Sequence, residues 1–106
     1  MQKYIQITTT TDKKADAEKI SKKLVEMRLA ACVQVVGPIR SIYWWKDVIE
    51  SNEEWLCIIK TENELYKEIE KVLSEIHPYE VPEIVSVPIV NGSHAYLSWL
   101  YEELRK

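Results

Sequence analysis

Glycine is nearly absent from this chain, with two residues in 106. Sharp turns and close backbone approaches to phosphate depend on glycine, so neither a large catalytic lid nor a phosphate-cradling loop is expected. Cysteine is equally sparse. Cys32 and Cys57 are too few and too far apart for a metal knuckle or a disulfide scaffold, and the expectation is two free, buried thiols. Soft Cu(I) would need the two to converge, whereas cysteine ordinarily just packs. Neither has a neighbouring base that would mark a nucleophile. No apolar run approaches the ~20 residues needed to span a bilayer, and Met1-Gln2-Lys3-Tyr4 leads straight into a strand pattern without a leader. These absences point to the cytoplasm. Charge of one sign is missing too: 14 basic residues face 17 acidic ones in no block, for a net charge of −3. That balance argues against a nucleic-acid partner, which wants a basic face, and against a polybasic membrane contact.

What is present fits a folded chain, with 46% apolar and 29% charged residues, enough for one domain over residues 1–106. The most informative stretch is Tyr43-Trp44-Trp45. Neighbouring strand residues point to opposite faces, so the two tryptophans cannot share one side of a sheet. Each indole could bury roughly 150–250 Å² and would then need a partner for its N–H. A two-layer domain covers one sheet face with helices and leaves the other wet. Hiding both tryptophans calls for a second cover, and another copy of the chain is the simplest source. The sequence therefore predicts an obligate oligomer.

Periodicity gives the elements. Lys3 to Thr9 alternates Ile5 and Ile7 with polar residues, as a half-buried strand does. The Thr8–Asp12 run offers N-cap oxygens for a helix from about Lys13 to Arg28, with Ala17, Ile20, Leu24 and Met27 on one face. A second strand runs from Cys32 to Trp45, interrupted at Gly37-Pro38. Lys46-Asp47 makes the hairpin turn, and the return strand runs from Val48 to Thr61. Within it, Trp55-Leu56-Cys57-Ile58-Ile59 is apolar on both faces, as expected of a central strand. Thr61-Glu62-Asn63-Glu64 reads as a capping box for a second helix, which ends before Pro78. Glu83 to Val90 is a last strand, and Ser93 caps a C-terminal helix with His94 in its solvated first turn. Proline falls in the second and fourth strands only, which suits them to sheet edges. The expected fold class is α+β, a ferredoxin-like βαββαβ antiparallel sheet in the order 4-1-3-2 with an added C-terminal helix.

Four blocks carry a family likeness across the chain. Leu29-Ala30-Ala31-Cys32-Val33, Ser41-Ile42-Tyr43-Trp44-Trp45-Lys46, His77-Pro78-Tyr79-Glu80-Val81-Pro82-Glu83 and Tyr96-Leu97-Ser98-Trp99-Leu100 closely resemble the CutA family of divalent-cation tolerance proteins. The resemblance implies a homotrimer, similar in architecture to the PII signalling proteins, with sheets facing the three-fold axis and helices outside. It also implies a link to tolerance of copper and other divalent metals. Two positions depart from the pattern. Asp47 stands where the family usually has a turn glycine, so a strained or lengthened turn is expected. The family's copper site matches Thr8, Ile76 and His77 here, and of these only His77 is a ligand type.

His77, near Tyr79, Glu80 and Glu83, is therefore the candidate metal ligand, for weakly bound Cu(II) or another divalent cation. The alternative is a histidine that bonds a carbonyl or carboxylate and fixes the proline turn. Tyr43, Trp45, Lys60, Tyr79 and Glu83 form a mixed aromatic and charged set. In a trimer they would line a cleft between subunits, either as a ligand site or simply as interface. No nucleophile–base pair or carboxylate dyad is visible, so an enzyme is not expected. Two functions compete: weak metal binding centred on His77, or a PII-like signalling or scaffold trimer that binds a small molecule or protein.

Overall fold

The computed structural model describes residues 3–105. In chain order it contains β1 (Tyr4–Thr11), α1 (Lys14–Glu26), β2 (Cys32–Trp45), β3 (Val48–Glu62), α2 (Tyr66–Ile76), β4 (Val85–Pro88) and α3 (His94–Glu103), with one 3-10 turn at Asn63–Leu65 leading into α2. The four strands form an antiparallel sheet in the order β2-β3-β1-β4. This is the ferredoxin-like order expected from the prolines, with β2 and β4 at the edges.

Alternation along the central strands divides the sheet into two unlike faces. Ile5 and Ile7 of β1 and Cys57 and Ile59 of β3 point toward α1 and α2, where they pack with Ile20, Leu24, Ile69 and Leu73 in a dry core. Burying each such aliphatic side chain is worth about 1.5–3 kcal/mol. The opposite face, here the open face, carries Val36, Leu56, Ile58, Val85 and Val87. Leu56 and Ile58 are half-buried there, whereas Cys57 and Ile59 on the helix side are sealed.

The register also separates the thiols. Cys57 is sealed in the core, while Cys32 pairs with Lys60 on the open face and is only partly buried. Convergence on a Cu(I) ion is ruled out by that placement, and the expectation of two buried thiols holds for Cys57 alone.

Several local expectations change. Thr8–Thr11 continue β1, because β-branched residues suit the ladder opposite Trp55–Ile58. No side chain caps α1, and the Thr11 hydroxyl instead donates to the Lys13 carbonyl at 2.8 Å. The capping box does not form either. Thr61 is buried in β3 and donates to the Leu29 carbonyl at 2.6 Å, which would otherwise lack a donor in the core. Ser93 does cap α3, accepting from the Tyr96 amide at 3.2 Å. The last strand is shorter than expected, Val85–Pro88, although the Ile89 amide still donates to the Tyr4 carbonyl at 2.9 Å. The hairpin turn keeps two residues, with Trp45 paired to Val48 and positive φ at both Lys46 (49°) and Asp47 (66°). Among the described residues, no helix is long and apolar enough to cross a membrane.

Candidate functional site

The far half of the β2–β3 hairpin is largely exposed, with Ile42, Trp44, Val48 and Ile49 open to solvent. By register, Tyr43 and Trp45 share one face with Glu54, while Ile42, Trp44 and Ile49 share the other. The adjacent tryptophans do point opposite ways. Trp44 is 70% exposed and Trp45 half-buried, so the chain by itself hides neither completely.

Pro78 ends α2 and turns His77 into extended geometry (φ −72°, ψ 136°), sending the following loop beneath the hairpin. His77 pins that loop. Its Nδ1 accepts the Tyr79 amide at 3.1 Å and its Nε2 lies 2.9 Å from the Thr10 carbonyl. A nitrogen that accepts an N–H carries no proton, so the proton sits on Nε2 and the ring is held as one neutral tautomer. Burial lowers its pKa, opposed by the Thr10 carbonyl and by Asp16, Glu54 and Asp12. This is the carbonyl-bonded turn histidine that the sequence offered as one of two roles.

Tyr79 follows, with its ring centroid 4.9 Å from that of His77. Its hydroxyl donates to Glu54 Oε2 at 2.5 Å, and Glu54 is 4% exposed. Burial first, then the bond to Glu54 and its charge, push the phenol far above its ordinary value, so it stays a donor. Glu83 accepts from the Thr8 hydroxyl at 3.0 Å. The Tyr43 hydroxyl accepts from Asn52 at 2.8 Å, which steadies its ring from across the hairpin.

Between hairpin and loop lies a groove of about 810 Å³. Tyr43, Trp45, Tyr79 and Glu83 all line it, so four of the five predicted cleft residues meet in one place. Lys60 does not join them. It lies further along β3, its Nζ 5.6 Å from the Tyr96 ring centroid, and strand rise alone puts it about 20 Å from Glu54. Glu54 and Thr10 also line the groove and were missed. Glu54 sits in Ser51-Asn52-Glu53-Glu54, where it looks like solvated charge; only the register reveals that Tyr79 covers it.

The donors of a single chain do not suit a tight metal centre. Among the described residues, no three His, Cys, Asp or Glu side chains are grouped to hold an ion. Both nitrogens of His77 are engaged, Ile76 is apolar, and Thr8 is spent on Glu83. A metal reaching His77 would have to displace the Thr10 or Tyr79 bond first.

The CutA1 divalent ion tolerance protein family matches residues 5–103. The divalent-cation tolerance protein CutA of Thermus thermophilus is 39% identical over 102 residues, which cover 96% of this chain and 97% of that one. Protein CutA of Mus musculus is 41% identical over 86 residues, 81% of this chain but 49% of its own length. This chain thus spans about half of that longer relative. The Archaeoglobus fulgidus CutA structure, described as a periplasmic divalent cation tolerance protein, superposes with a TM-score of 0.92 at 35% identity, covering 96% of this chain and 99% of that one. The chain belongs to the CutA1 family of divalent ion tolerance proteins.

Proposed function

We propose that this divalent-cation tolerance protein acts as a homotrimer whose inter-subunit clefts bind a small ligand. The uncovered open face of the sheet is the observation that carries the reading. Val36, Val85 and Val87 stand 44%, 51% and 48% exposed there, beside the half-buried Leu56 and Ile58. A long edge strand such as β2 favours the same outcome, since unpaired edges invite a second chain. Turning three such faces toward one axis removes the apolar surface from water and brings a neighbour up to each hairpin groove. The groove's aromatic walls and polar floor suit a ligand of modest size. This is the PII-like reading of the family's role.

Weak binding of Cu(II) or another divalent cation is the second reading, favoured by the carboxylates of Glu80 and Glu83 at the groove. With both nitrogens of His77 engaged, that binding draws on the carboxylates alone and stays weak.

Sedimentation and calorimetry test both parts. The expected results are a trimer at micromolar dilution and shallow, non-saturating heats with Cu(II) that do not change in His77→Gln. A stably folded monomer overturns the assembly. Tight, saturable copper binding at one ion per chain, lost in His77→Gln, would establish His77 as a metal ligand.

A further inference from the structure

The hairpin groove has a charge character that narrows its ligand. Glu54, Glu80 and Glu83 line it together with Tyr43, Trp45 and Tyr79, and no lysine or arginine does. Glu54 is the unusual member. It is 4% exposed, yet no ion pair among the described residues includes it. Its Oε2 takes the Tyr79 hydroxyl, and its other oxygen, with no hydrogen bond within the described residues, stays open to the solvent of the groove. A buried acidic group with one neutral partner is short of positive charge.

The chain already places one ammonium at the groove mouth. Lys46, on the hairpin turn, sets its Nζ 5.6 Å from the Trp45 ring centroid and 4.0 Å from Glu80 Oε2. An aromatic face with a carboxylate beside it is the environment an alkylammonium selects, through cation–π attraction and ion pairing. Deeper in, Glu54 meets the Tyr79 hydroxyl, with no cation supplied by the described residues.

We propose that the groove binds an organic ammonium ion, a protonated amine carried on an apolar body. The amine meets Glu54, and the body lies against Tyr79 and Tyr43. The proposal rests on the groove being a ligand site, as argued above, and adds the class of ligand. A nucleotide or other phosphate would face three carboxylates against the single Lys46 ammonium at the mouth, and is disfavoured.

The test uses three probes of one shape, titrated into the assembled protein by calorimetry and amide NMR. These are benzylammonium, benzyl alcohol and benzoate. Benzylammonium is expected to bind saturably at the groove, benzyl alcohol more weakly and benzoate not at all. Glu54→Gln should weaken benzylammonium by roughly tenfold or more. Lys46→Asn removes the resident cation at an exposed turn that tolerates asparagine, and should tighten binding. It gives an independent answer if Glu54→Gln folds poorly. Benzoate binding as well as benzylammonium, or an affinity indifferent to both substitutions, overturns the charge assignment while leaving a ligand site. Groove amides unmoved by all three probes overturn the proposal and the ligand-site reading together.

Discussion

His77 shows how one side chain can hold a loop through its protonation state. Its two bonds require opposite roles of the two ring nitrogens, and only the neutral ring supplies them. Burial lowers its pKa in the fold, so as pH falls through about 6.5 the unfolded chain takes up a proton before the folded one does. Stability from this residue is therefore complete above that value. It declines as pH drops below it and levels off beneath the folded pKa. In urea unfolding at fixed protein concentration, His77→Gln is expected to lose about 1–3 kcal/mol at pH 7.5. The gap between the two proteins should narrow toward pH 5, because the native protein then gives up its own contribution. A gap that is constant with pH would mean that the ring works by shape alone. Fixed concentration matters because the proposed assembly would shift the midpoint by mass action.

Among the elements, β2 depends on a single glycine. Ladder pairing jumps from Val36–Leu56 to Ile39–Glu54, leaving Gly37 and Pro38 opposite Trp55 alone. A Cβ on Gly37 would come within 2.4 Å of Trp55 Cδ1, so the indole lies directly over the bare backbone. Gly37→Ala is expected to cost about 1–3 kcal/mol by overpacking. Pairing it with Trp55→Leu should recover part of that loss, and additive losses in a double-mutant cycle would refute the contact as the cause.

The interruption at Gly37-Pro38 was visible in the sequence, but the partner that exploits it was not. The same division recurs across the chain. Element order, edge strands and the hairpin turn follow from alternation, proline and the turn dipeptide, all of which are local signals. Thr61 and the Thr8–Thr11 run misled because hydroxyls that could cap a helix are also wanted by distant carbonyls and a long ladder. Glu54 was illegible for the same reason, since its burial depends on Tyr79, 25 residues away. Lys60 fits the set by composition and leaves it by register alone.

For the whole molecule, the decisive asymmetry is between the two faces of the sheet. One is sealed by α1 and α2, and the other carries valine, leucine and isoleucine with only partial cover. Ile58 lies mid-sheet on that open face, opposite Gln34 on one side and Thr8 on the other. A charge there would be tolerable in a lone chain, where water still reaches the position, but not in a trimer that buries it. Ile58→Lys is therefore expected to convert the proposed trimer to a monomer by sedimentation, while far-UV circular dichroism keeps its helical signal because the core behind α1 and α2 is untouched. Lys22→Glu, on the exposed outer side of α1, should change charge without changing mass. If Ile58→Lys sediments as a trimer, the open face is not the surface through which the subunits meet. The hairpin groove would then have to be understood as a feature of the single chain.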